Sequence, residues 1–268
     1  VLLLSSAIAV AGVEPAGALS FDPFAPSGAG GDVNGQRLEI GAGGATHEID
    51  AFLAIAGMDL NGSAFGTASQ LSVDPLPSGL VYSFDASLSA DATDLILSYS
   101  FSNHTSATLS DVTFLSFLDA EIVEPLNSFF NENAVSDGSL APGQGFEVDE
   151  PGFLFGDIFD HLLLGRLDDT NALPPGSEDD VSMALSFALG DLAPDAVAEI
   201  DIMISEDGDR LGPLRLTQGD DLSPTSIHYS GRARVRSGGG PAIPEPGAAL
   251  LFAAGALVVS GRLRRSRR

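Results

Sequence analysis

The chain contains no cysteine and no lysine. Without cysteine there is no disulfide, no thiol chemistry, no cysteine-based zinc site and no lipoprotein acylation site, so the fold must be held by its core alone. All 12 basic residues are arginines, set against 37 aspartates and glutamates, for a formal net charge of −25. Five of those arginines crowd into residues 262–268, which leaves the rest of the chain more acidic still. A field of that sign repels nucleic acid and anionic membrane surfaces and favours cations or basic partners, so nucleic acid is excluded as a partner. Catalytic motifs are also missing. There is no Gly-x-Ser-x-Gly elbow to support a Ser-His-Asp hydrolase. The histidines His47, His104, His161 and His228 are scattered without metal-ligand spacing, and each reads as a surface or turn residue.

What is present is period-two alternation, which puts one set of side chains on a core face. Leu80, Tyr82, Phe84, Ala86 and Leu88 oppose Ser83, Asp85 and Ser87. Leu95, Leu97, Tyr99 and Phe101 oppose Ser98 and Ser100. Val181, Met183, Leu185, Phe187 and Leu189 oppose Ser182, Ala184 and Ser186, and Ala198, Ile200, Ile202 and Ile204 oppose Glu199, Asp201 and Ser205. Residues 112–118 are apolar on both faces apart from Thr113 and Ser116, which suits a central strand. Turn chemistry separates these runs at Asn103-His104-Thr105-Ser106, Asp137-Gly138, Pro142-Gly143, Gly190-Asp191 and Asp207-Gly208. The fold class expected is all-β, an antiparallel β-sandwich. Residues 97–119, with an Asn-x-Thr turn between two strands and a Leu-Ser-Asp-Val entry to the second, resemble a unit common in immunoglobulin-like exported domains.

Three other stretches carry expectations of their own. Residues 37–40 and 47–55 read as strands within a less regular lead-in (19–75), either an extra hairpin layer or a disordered approach. Phe153, Phe155, Ile158, Phe159, Leu162 and Leu163 predict a short helix or a segment crossing between the sheets, with Asp157 and Asp160 outward. Ile227, Tyr229, Ala233 and Val235 alternate with His228, Ser230, Arg232, Arg234 and Arg236. That pattern predicts a last strand with a basic outer edge, guarded by charge against pairing with other molecules, or an arginine patch for acidic polysaccharide.

Acidic residues cluster along the chain at Asp119 with Glu121, Asp149-Glu150, Asp168-Asp169, Glu178-Asp179-Asp180, Glu206-Asp207 with Asp209, and Asp220-Asp221. Asp119 and Glu121, two residues apart, would share a strand face and could flank a glycosidic bond or offer oxygens to Ca²⁺. Asp207-Gly208-Asp209 is calcium-like, yet it is not an EF-hand, whose twelfth position here is Gln218. The sequence calls for no catalytic residue, no metal and no cofactor outright, leaving Ca²⁺ as an open option.

The two ends are unlike the middle. Residues 1–13 are apolar or small, and Ala16-Gly17-Ala18 is a small-x-small site of the kind signal peptidase cuts, although a charged n-region is missing. Near the other end, Pro244-Glu245-Pro246 is a stiff segment unable to join a helix or ladder. An uncharged run over 248–259 follows, then Arg262, Arg264, Arg265, Arg267 and Arg268. That run spans roughly 18 Å as a helix, short of a ~30 Å hydrocarbon core, and the arginines would hold it on the cytoplasmic side.

Residues 243–268 resemble the PEP-CTERM sorting signal: the triplet, the short apolar helix and the arginine cluster stand in the family's order. The resemblance implies export across the inner membrane of a Gram-negative bacterium, with residues 248–261 held there transiently. It further implies recognition by an exosortase, cleavage near Pro244–Pro246, and delivery to the surface or to extracellular polysaccharide. It says nothing of residues 19–240. The organisation expected is a signal peptide (1–18), a β-sandwich ectodomain (19–236), a flexible Ser-Gly-rich linker (237–243) and the sorting signal with its short transmembrane helix (244–268). The function expected is a non-enzymatic surface or biofilm-matrix protein. A secreted polysaccharide hydrolase or lyase using Asp119 and Glu121, and a plain tail-anchored periplasm-facing protein, are the alternatives.

Overall fold

Alternation becomes strand wherever one face can be buried. A computed structural model of the chain describes residues 20–22, 37–40, 45–58, 68–71, 76–91, 93–122, 129–152, 155–220, 222 and 224–238. Its strands are β1 (Ser20–Asp22), β2 (Arg37–Ile40), β3 (Ala45–Ala54), β4 (Ala68–Gln70), β5 (Leu80–Leu88), β6 (Asp94–Asn103), β7 (Leu109–Asp119), β8 (Glu132–Gly138), β9 (Gln144–Asp149), β10 (Ser182–Leu192), β11 (Val197–Ser205), β12 (Leu214–Asp220) and β13 (Ser226–Arg236), with an α-helix, α1 (Ile158–Leu163), and a 3₁₀ turn at Phe129–Asn131 among the described residues. They form two antiparallel sheets packed as a sandwich. One runs β1-β2-β3-β7-β10-β9, with β4 also pairing β3; the other runs β5-β6-β11-β13-β12-β8.

The core lies between the sheets. Leu95, Leu97, Tyr99 and Phe101 from β6 and Ala198, Ile200, Ile202 and Ile204 from β11 meet Ile49, Ala51, Leu53, Val112, Phe114, Leu118, Met183 and Leu185 from the other sheet. Tyr99 packs on Phe114 with ring centroids 4.8 Å apart. The Tyr229 hydroxyl donates to Ser116 Oγ across the two sheets at 2.6 Å, so this β7 serine serves as a buried acceptor. β7 is central, flanked by β3 and β10. The lead-in residues 45–54 thus belong to the first sheet rather than to an extra layer.

The Asn-x-Thr turn has a physical explanation. Asn103 is fully buried at the corner where the chain leaves one sheet for the other. Its Nδ2 donates to the carbonyls of Ala107 (2.9 Å) and Leu192 (2.8 Å), and its Oδ1 accepts from the amide and hydroxyl of Thr105 (2.9 and 2.7 Å). Two donors and two acceptor sites are an asparagine side chain's full capacity, so the corner is closed without an unpaired group.

Three expectations need correction. Gly190-Asp191 is not a turn: β10 runs on to Leu192, and the ladder with β7 shifts register around Gly190, whose φ of +69° fits a bulge that glycine tolerates. Of the two readings of the segment around Phe159, the short helix holds and the crossing between the sheets does not. α1 covers the outer face of the first sheet, where Ile158 and Leu162 join Phe52, Leu115, Phe117 and Ala184 in a second core. Ala184, expected outward, is buried in this second core, and Ser182 and Ser186 on the same face are buried as well. Finally, β13 lies inside the sheet along its first half, and only its arginine-bearing second half is an edge among the described residues. It pairs with β11 along residues 197–205 and with β12 through Ser226–Ser230, and beyond Ser230 only β11 flanks it among the described residues. There Ala233 and Val235, expected in the core, are exposed.

Candidate functional site

The candidate sorting residues Pro244, Glu245, Pro246, Arg262, Arg264, Arg265, Arg267 and Arg268, the signal-peptide pair Ala16 and Ala18, and the apolar span 248–261 all lie outside the described residues. Among the described residues no helix is long and apolar enough to cross a membrane.

Asp119 and Glu121 are described, and the structure brings them together with a residue the sequence could not pair with them. Asp119 closes β7 opposite Ser182, whose hydroxyl donates to Asp119 Oδ1 at 3.1 Å. Carrying that antiparallel register two residues past the strand end sets Glu121 opposite Asp180. One carboxylate oxygen from each of Asp119, Glu121 and Asp180 falls within 4.8 Å of the others. Burial, then the Asp180 charge, pushes Glu121 up to about 7. Asp180 is raised too, by burial and then by Asp179.

Behind this trio sits Glu132, the first residue of β8 and fully buried. Its Oε1 accepts from the Ile122 amide at 3.0 Å, and its Oε2 accepts from the Val181 amide at 3.4 Å and from Gln218 Nε2 at 2.7 Å. Those hydrogen bonds favour the carboxylate, but burial outweighs them and the neighbouring Glu121 charge adds to it, so Glu132 is pushed up to about 8. Two neighbouring carboxyls, Glu121 and Glu132, are thus both raised.

A second constellation escaped the sequence reading. His161, on α1, approaches Glu147 of β9 with Nδ1 2.8 Å from Oε1, and the Asp168 amide donates to Glu147 Oε2 at 3.3 Å. Burial alone would lower His161, but the hydrogen bond and charge of Glu147, with Asp157 and Asp168, raise it. Glu147 is itself raised, by burial first. The signal available was Glu147 two residues before Asp149, with His161 on a helix that packs back over β9. Only the fold shows that contact.

The arginine patch is committed internally. Register puts Arg232 opposite Asp201 and Arg234 opposite Glu199. Arg232 forks onto Asp201 at 2.9 and 3.1 Å, while Arg234 and Arg236 both reach Glu199, at 2.5 and 2.6 Å. These are cross-strand ion pairs of the sheet.

No protein family, curated protein or solved structure matches the chain.

Proposed function

We propose that the chain is an exported surface or extracellular-matrix protein, sorted through its Pro-Glu-Pro signal by an exosortase after signal peptidase has removed the leader. In this reading the sandwich is a structural or binding module associated with extracellular polysaccharide or biofilm, without catalysis of its own. The observation that carries it is the ordered array of Pro244-Glu245-Pro246, the uncharged run 248–259 and the arginine cluster 262–268, following the Ser-Gly-Gly-Gly linker that starts at Ser237. An apolar run too short to span comfortably, behind a stiff triplet and a flexible linker, is suited to brief retention and cleavage. We read the sandwich as immunoglobulin-like, on the strength of the Asn103 corner and the chain's passage from β6 to β7 between sheets.

Intact mass and location of the protein, expressed with and without an exosortase, test the proposal. Loss of the segment after the triplet, with release to the surface only when the exosortase is present, is the expected result. A full-length protein retained in the inner membrane of both hosts would reduce residues 244–268 to a plain anchor.

A further inference from the structure

We propose that the loop between β5 and β6 and the loop leaving β11 together hold one divalent cation of the Ca²⁺ class, ligated by the carboxylates of Asp94, Asp207 and Asp209. The inference rests on these loops alone and does not depend on the sorting proposal.

The register of the second sheet creates the juxtaposition. Asp94, the first residue of β6, pairs with Ser205, the last of β11, so the chain leaves β11 into Asp207-Gly208-Asp209 directly beside Asp94. One carboxylate oxygen from each of Asp94, Asp207 and Asp209 lies within 4.8 Å of the other two. Oxygens bound to one Ca²⁺ at about 2.4 Å lie on a sphere about 4.8 Å across, whereas Mg²⁺ at about 2.0–2.1 Å demands a tighter octahedron. The donors are all carboxylate oxygens, with no imidazole or thiolate, which selects a hard cation over zinc or copper.

A separate observation points to a ligand. Asp94 is only 8% exposed, and its Oδ1 is shut off from solvent without a hydrogen-bond partner among the described residues. Burying a carboxylate oxygen with nothing to receive its charge is costly, and here the nearby groups make the cost larger. The carboxylates of Asp207, Asp209 and Asp91 crowd further negative charge around it. Arg215 does not relieve the cluster: its Nη1 donates to the Gly208 carbonyl at 2.7 Å and its Nη2 reaches Asp137 at 3.3 Å. A cation among these oxygens resolves both the orphaned oxygen and the repulsion.

The loops are held for the task by neutral groups. Thr93 Oγ1 lies within hydrogen-bond distance of both Asp91 Oδ1 (3.1 Å) and Asp207 Oδ2 (3.2 Å), so its single proton can serve either loop. Ser205 Oγ donates to Asp207 Oδ1 at 2.9 Å and accepts from the amides of Gly208 (3.2 Å) and Asp209 (3.1 Å). A bound cation would clamp the β5–β6 hairpin to the end of β11.

The test uses the purified full chain, stripped with a chelator and titrated with CaCl₂ at constant ionic strength near pH 7.5. Saturable binding of one Ca²⁺ per chain is expected, with a dissociation constant of about 10⁻⁴–10⁻³ M, the range of extracellular modules. At ten times that concentration the melting temperature should rise by about 3–6 °C, and less with Mg²⁺. Asp94→Asn and Asp209→Asn should each abolish saturable binding, while Asp195→Asn, in an exposed loop elsewhere, should leave it unchanged. Asp209 is exposed, so its variant keeps the test open if the buried Asp94→Asn chain fails to fold. Stripped Asp94→Asn, where it folds, should melt higher than the stripped parent and ignore added Ca²⁺. Absence of saturable binding up to about 10 mM, ten times the weakest extracellular sites, overturns the proposal. So does binding that survives unchanged in both variants.

Discussion

At the scale of single residues, Glu132 has the most consequence for stability. A carboxyl with no exposed surface is held neutral by burial, with a folded pKa of about 8 against an ordinary 4.5. The unfolded chain therefore releases this proton as pH climbs through 4.5, while the folded chain keeps it until about 8. The unfolded state binds fewer protons across that window, so stability is greatest below 4.5, declines as pH rises, and levels off above 8. At about 1.4 kcal/mol per unit, the decline is on the order of 5 kcal/mol. Glu121, raised to about 7 beside it, adds a slope of the same sign. Glu132→Gln is neutral at every pH. It leaves the Val181 amide and Gln218 Nε2 facing an altered group and should cost about 1–2 kcal/mol at pH 5. Its loss of stability between pH 5 and pH 8 should be much shallower than the parent's. Denaturant unfolding at the two pH values reads this directly, and an unchanged slope would remove Glu132 as its source.

At the scale of elements, α1 shows how a short helix exists for what it covers. Six residues are too few to be helical alone, and Asp157 at the N-cap makes no side-chain capping bond. Anchoring falls to Ile158 and Leu162, and to Phe159, whose ring meets Phe52 and Phe117 edge-on at centroid distances of 5.7 and 6.0 Å. Phe159→Ala should cost about 2–4 kcal/mol, combining lost apolar contact with two edge-to-face pairs. It should also raise hydrogen exchange in α1 ahead of the strands; uniform destabilisation would mean the helix is no separate layer. The strands β6, β10 and β11 were legible because alternation needs only the chain itself. The outer layer was not: Ala184 looks solvent-facing until α1 is placed over that face of the sheet. Gly190 read as a turn because a bulge and a turn ask the same of glycine, and only the β7 partner distinguishes them. The acidic groups show the same limit. Asp119 and Glu121 are visible as neighbours, but Asp180 joins them, and Asp94 joins Asp207, only through cross-strand register, which local pattern does not encode.

At the scale of the whole molecule, charge is the property most fully readable in advance and the one that most constrains behaviour in solution. The sequence carries 37 acidic residues against 12 basic. Arg210, Arg215, Arg232, Arg234 and Arg236 are already engaged with Asp137, Asp201 and Glu199. The remaining carboxylates repel one another more in the compact state than in the expanded one. Two opposing effects of salt then compete. Screening weakens the arginine pairs, but those are exposed on their cationic side, and such pairs contribute only about 0–1 kcal/mol each. Screening also relieves the long-range repulsion of the excess negative charge, as the Debye length falls from about 30 Å at 0.01 M to about 3 Å at 1 M. Repulsion involves many more groups than pairing does, so it should win. Raising NaCl across that range should increase the melting temperature by about 4 °C, equivalent to about 1–2 kcal/mol for a chain of this size. The increase should be larger at pH 8 than at pH 5, where part of the carboxylate charge is already quenched. Thermal melts in NaCl at both pH values decide the matter. A melting temperature that falls with salt would show that the cross-strand arginine pairs on β11 and β13 outweigh the net charge.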